Sequence, residues 1–147
     1  MYCVPQTYVF TLLALKMNKK QRMKQQEAEA KHQRRILAGY IQDRFPKVKA
    51  IKIKKTFFNS DTDRQLETDF PEWNIPLTWY AVFEVECPMH ECVAGGFDLI
   101  DTIREMVAKK LTHGNGTMIC SGWQDQERVG KYRCLTKFSY EVNIEYL

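Results

Sequence analysis

From Tyr132 to Tyr146 every second residue belongs to one set: Tyr132, Cys134, Thr136, Phe138, Tyr140, Val142, Ile144 and Tyr146. The residues between them are mostly polar. A period of two over this length requires a strand with one buried face, and such a strand requires a sheet and a layer to cover it. The segment Leu77 to Cys87 repeats the pattern, with Trp79, Ala81, Phe83, Val85 and Cys87 on one face and Tyr80, Val82, Glu84 and Glu86 on the other. Both patterned segments carry a cysteine on the apolar face. Four of the five cysteines, Cys87, Cys92, Cys120 and Cys134, fall between the start of the first pattern and the middle of the second.

The remaining elements follow from local signals. Lys19 to Arg44 is rich in Gln, Lys, Glu, Ala and Arg with no Pro, which predicts a helix. Only its last turns carry apolar residues at helical spacing, namely Ile36, Leu37, Tyr40, Ile41 and Phe45, and Pro46 stops it. Lys47 to Phe58 reads as a strand whose lysines suit a sheet edge, where charge discourages aggregation. Asn59 to Pro76 reads as a long polar, acidic loop. After the Cys87–Gly96 loop, Asp98 caps a helix running to about Leu111, with Phe97, Ile100, Ile103, Met106 (or Val107) and Leu111 on one stripe. His113-Gly114-Asn115-Gly116 then ends that helix, Thr117 to Gln124 forms a third strand, and residues 125–130 make a hairpin into the strand Lys131 to Tyr146.

The predicted order is α-β-β-α-β-β. The expected fold class is α+β, a four-stranded, mainly antiparallel sheet with helices packed on one face. With 147 residues, 44% of them hydrophobic, residues 19–147 suffice for a single domain with its own core. Residues 1–18 read as an N-terminal extension, disordered or not native, since Met17 opens a run that resembles a natural start. The apolar run Tyr8 to Leu15 has no positive charge before it and no small-residue cleavage site after it, so a secretory signal is not expected. No run approaches the roughly 20 apolar residues of a membrane span, and a cytoplasmic location is expected.

This order also brings the cysteines together. A helix between the second and third strands makes those strands parallel, so both finish at the same end of the sheet. A hairpin centred near Glu127 sets Cys120 opposite Cys134, and opposed residues share a face. Cys87 ends the second strand on the core side, and Cys92 lies five residues further on. Three readings compete. The one adopted is a structural zinc site with Cys87, Cys92, Cys120 and Cys134 as thiolate ligands, His90 being a possible substitute for one of them. The others are two disulfides, Cys87–Cys92 and Cys120–Cys134, which need an oxidising compartment, and four buried thiols acting as small hydrophobes. His90 between Cys87 and Cys92 could also form a Cys–His catalytic pair, but three polar neighbours in one loop are common, and no catalytic residue is assigned.

The charge is divided unevenly. Residues 1–55 hold fourteen Lys and Arg against three acids, a net of +11, while the remainder holds eight against fifteen, a net of −7. A basic arm points to nucleic acid as partner, through Lys19, Lys20, Arg22, Lys24, Lys31, Arg34 and Arg35, with Lys47, Lys49, Lys52 and Lys54 alongside. The expected function is therefore non-enzymatic binding. The alternative is a protein–protein adaptor that uses the acidic 59–76 segment and the hairpin at Trp123, and a thiol-dependent enzyme comes third.

Overall fold

The computed structural model describes residues 18–147, so the expected N-terminal extension, residues 1–17 of it, lies outside the described residues. Helix α1, Lys19–Ala38, begins with a reciprocal cap. The Gln21 N–H donates to Asn18 Oδ1 at 2.9 Å, and the Asn18 N–H donates to Gln21 Oε1 at 3.1 Å. None of its residues is buried, and Ile36 and Leu37 are exposed. The predicted helix does not continue to Arg44. Gly39 takes a left-handed φ of 71° directly after Ala38, a conformation that glycine adopts without steric cost and that ends helices. A separate one-turn helix follows, α2, Ile41–Arg44, in which Ile41 is fully buried.

Gly39–Leu147 forms one compact unit with an α+β fold. Its main sheet is antiparallel throughout and contains β1 (Val48–Asn59), β2 (Gln65–Leu66), β3 (Glu72–Ile75), β6 (His113–Ile119) and β7 (Thr136–Tyr146). The order is β2-β1-β7-β6, with β3 also beside β1, giving five strands where four were expected. A second small sheet joins β4 (Glu84–Val85) to β5 (Phe97–Asp98), and helix α3, Ile100–Ala108, follows. Among the described residues no helix is long and apolar enough to cross a membrane.

Four expectations change here. The lysine strand β1 is not an edge. The segment 59–76 is not a free loop but folds back, pairing β2 with Phe57 and Phe58 and β3 with Ile51 to Lys54. The lysines are tolerated inside the sheet because they face its open side, where Lys52 Nζ meets Glu72 at 3.2 Å and Lys54 Nζ meets Glu141 at 3.9 Å. The segment Leu77 to Cys87 does not enter the main sheet, and no parallel crossover forms. Its first half bonds to the chain around Gly39, through Ile41 N to Trp79 O (2.9 Å), Gln42 N to Leu77 O (3.0 Å) and Ala81 N to Gly39 O (2.7 Å). Its second half supplies β4. The alternation still predicts its buried face correctly from Ala81 onward, since Ala81, Phe83 and Val85 are buried while Trp79 is exposed.

The fourth change concerns Gly114 and Gly116, which lie within β6 rather than in a turn. A methyl group at Gly114 would stand 2.8 Å from Met106 Sδ, and one at Gly116 would stand 2.8 Å from Tyr140 Cζ. Both glycines therefore let the helix and a tyrosine ring approach the sheet closely. The core lies on this inner face. Ile51, Ile53 and Phe57 of β1 meet Phe138, Val142 and Ile144 of β7, under Phe83, Phe97, Leu99, Ile103 and Met106, all buried. Phe138 is its centre, with ring centroids 5.1 Å from Phe57 and 4.9 Å from Phe97.

Candidate metal centre

The β4–β5 connection carries Cys87 and Cys92, and the β6–β7 connection carries Cys120 and Cys134. Backbone bonds stitch the two connections together. Val93 N donates to Trp123 O at 3.0 Å and Trp123 N donates to Val93 O at 2.9 Å. Within the second connection, Cys120 N donates to Thr136 O and Cys134 N donates to Gly122 O, both at 2.9 Å. Cys120 is therefore opposite Thr136, and the hairpin centre sits near Arg128 rather than Glu127. The expected Cys120–Cys134 opposition is displaced by two residues, which leaves both thiols on the inner face.

The four Sγ atoms lie within 4.8 Å of one another and can hold a metal ion. Cys92 and Cys120 Sγ are 3.6 Å apart and Cys87 and Cys134 Sγ are 3.8 Å apart, each pair linking the two connections. All four cysteines of the cluster are free thiols. His90 is exposed and outside the cluster, so it neither replaces a ligand nor forms a dyad with a thiol. Cys120 and Cys134 are buried, while Cys87 and Cys92 are half-buried.

Glycine shapes the space around the sulfurs. A methyl at Gly95 would fall on Cys92 Sγ and stand 2.7 Å from Cys120 Sγ, and one at Gly122 would stand 2.7 Å from Cys92 Sγ and 2.6 Å from Gly95 Cα. The backbones of the two connections thus touch through paired glycines, and side chains there would fill the cage. Backbone amides also serve the sulfurs, since Gly96 N–H and Gly122 N–H both donate to Cys120 Sγ at 3.4 Å. The clue to this in the sequence is Gly95-Gly96, three and two residues before Asp98, together with Cys-x-Gly at 120–122.

The electrostatics of the thiols differ. Burial pushes the Cys87 thiol up to about 11, against bonds from the Met89 backbone and Thr136. Burial also raises Cys92, reinforced by the neighbouring Cys120. At Cys134 burial again acts upward but is outweighed by hydrogen bonds with the side chain and backbone of Thr136, so its thiol falls below the ordinary value. Cys134 Sγ and Thr136 Oγ1 are 3.3 Å apart, and Thr136 is almost wholly buried. Four sulfurs this close cannot all carry charge without a cation between them.

The candidate nucleic-acid residues are dispersed. Lys19, Lys20, Arg22, Lys24, Lys31, Arg34 and Arg35 lie on α1, where Lys31 and Arg35 are half-buried and the others exposed. Lys47 and Lys49 are exposed at the start of β1, whereas Lys52 and Lys54 face carboxylates on the open side of the sheet. Of the adaptor features, Phe70 is 73% exposed, and Trp123 is half-buried beneath the Arg133 guanidinium, 4.1 Å from its ring centroid. No protein-family model, curated protein or solved structure matches the chain.

Proposed function

We propose that this chain is a small non-enzymatic binding protein in which Cys87, Cys92, Cys120 and Cys134 hold a structural zinc ion, and in which the basic helix α1 engages nucleic acid. The observation that carries the zinc assignment is the size of the sulfur cage. Tetrahedral zinc with Zn–S bonds of about 2.3 Å sets its sulfurs about 3.8 Å apart. The cross-connection separations of 3.6 and 3.8 Å already lie at that value. All four positions are filled by thiols, leaving no open position for substrate, as in a structural rather than a catalytic site. Metal analysis of protein purified under reducing conditions tests this. About one zinc per chain is expected, lost when Cys120 or Cys134 is replaced by Ser, and metal-free protein with four reactive thiols would refute it.

The nucleic-acid reading rests on α1, which holds seven Lys and Arg against Glu27 and Glu29, a net of +5 over twenty residues. At about 100° per residue, Lys20, Lys24, Lys31, Arg34 and Arg35 fall within a stripe roughly 100° wide. A stripe of this kind neutralises phosphates without reading bases, so affinity should be weakly sequence-dependent and steeply salt-dependent. Lys52 and Lys54 exchange their carboxylate partners for phosphate at little cost, because exposed ion pairs are worth at most about 1 kcal/mol. Binding to a short duplex at low salt, measured by fluorescence anisotropy, should be abolished by Arg34→Glu with Arg35→Glu. Unchanged affinity in that variant would remove the reading.

A further inference from the structure

Among the described residues strand β6 closes one side of the main sheet and pairs only with β7. Because Cys120 N donates to Thr136 O, the inner-face residues Gly114, Gly116 and Met118 are those that exchange hydrogen bonds with β7. The amides and carbonyls of His113, Asn115, Thr117 and Ile119 therefore point outward from the sheet edge. All four side chains are exposed, Ile119 by 60%. The two edges are built differently. Beside β1 the sheet ends in strands of two and four residues, the longer one lying between Pro71 and Pro76 and carrying Glu72. β6 runs for seven residues with no Lys, Glu, Asp, Pro or bulge. Edges left unguarded in this way are templates for another strand.

We propose that β6 pairs antiparallel with β6 of a second copy of this chain, about a twofold axis at Gly116. Three features select this occupant. First, the register matches every outward-pointing residue to another: His113 faces Ile119 and Asn115 faces Thr117, each twice. This gives roughly eight hydrogen bonds, two for each facing pair. Second, no formal charge lies on the strand, so the copies meet without repulsion, and each exposed Ile119 is covered by the imidazole edge of His113. Third, the inner face accommodates the axis. Gly116 meets Gly116 beneath the two Tyr140 rings, which already lie over this glycine. Met106 of α3 seats on Gly114, so the corresponding points of the two helices are displaced by about four residues, roughly 14 Å, along the strands. That exceeds the 8–10 Å at which helices pack, so the two α3 helices do not collide.

The proposal does not depend on the metal centre and is tested by mass in solution. Sedimentation of the parent chain across a concentration series should reveal a species of twice 17.4 kDa. In the variant N115K/T117K, lysines face lysines across the axis at two places, and the dimer should dissociate. In N115K/T117E each lysine faces a glutamate of the other copy, and the dimer should persist. Both variants change the same exposed positions, so loss of folding cannot account for a difference between them. A parent chain that is monomeric throughout would overturn the proposal, including one that instead captures an added extended peptide. So would a dimer that survives N115K/T117K, or one lost equally in both variants.

Discussion

A methyl group at Gly95 is the smallest change that should open the sulfur cage without removing a ligand. Built on the existing backbone, it falls on Cys92 Sγ and stands 2.7 Å from Cys120 Sγ and 3.5 Å from Gly122 Cα. Nonbonded heavy atoms prefer about 3.5–4.0 Å, so Cys92 must retreat by roughly 1 Å or more. Overpacking of this kind costs about 1–3 kcal/mol. A metal fixes all four sulfurs, whereas the metal-free chain lets Cys92 swing outward, so most of the cost falls on the loaded form. Gly95→Ala should therefore weaken metal binding about ten- to a hundredfold, at 1.36 kcal/mol per factor of ten. Competition with a coloured chelator at fixed pH measures the affinity, and thermal melting of loaded and metal-free protein separates affinity from fold stability. Gly130→Ala is the control. Unlike Gly95 it has a left-handed backbone, φ 81°, and a methyl there has nothing within 4 Å. It should cost both forms about 1–2 kcal/mol and leave affinity unchanged. If Gly95→Ala binds metal as tightly as the parent, the two connections do not close on the sulfurs as described.

Metal uptake should strengthen with pH. The Cys87 and Cys92 thiols are held protonated at neutral pH by burial, and the metal must displace those protons, so affinity rises as pH rises and by up to about tenfold per unit for each proton released. Chelator competition at pH 6 and pH 7.5 checks the sign, and a flat profile would contradict it. Peroxide oxidation of the metal-free chain should join Cys87 to Cys134 and Cys92 to Cys120, because these sulfurs lie 3.8 and 3.6 Å apart. Peptide mapping that finds Cys87–Cys92 instead would place the thiols differently. Phe138→Ala, at the fully buried meeting point of Phe57 and Phe97, should cost about 3–5 kcal/mol in denaturant unfolding, and a loss below 1 kcal/mol would mean the centre of the core lies elsewhere.

Periodicity revealed which residues are buried more reliably than which strands pair. Phe138, Val142 and Ile144 alternate with polar neighbours and are buried, as are Phe83 and Val85, because side-chain direction follows from local backbone geometry. Pairing is a non-local property. Nothing between Asn59 and Pro76 alternates for long enough to announce a strand, yet β3 finds four partners along β1. Those pairs move the lysine strand from the edge to the interior. The glycines misled for a related reason. At positions 39 and 96 a positive φ explains them, whereas at 114, 116 and 122 the explanation is what stands opposite, and that is visible only once Met106, Tyr140 and Gly95 are in place.

The four cysteines converge although the hairpin register and the crossover both differ from expectation, and the reason lies in the symmetry of strands. The hairpin register is displaced by two residues, and a displacement of two returns every side chain to its own face. A displacement of one would have turned Cys120 to the opposite face of the sheet. The parallel crossover is absent, but Cys87 reaches the same place because alternation continues from Phe83 through Val85 while the backbone pairs with β5 instead of the main sheet. What carried the prediction was parity along the chain together with the shortness of the Cys87–Cys92 loop. Strand order contributed little. A four-cysteine cage built from two hairpin-like connections is therefore robust to changes in the sheet beneath it, which suits a fastening more than an active site. A catalytic group would need the register fixed to the residue, whereas these sulfurs need only the correct face and the correct end.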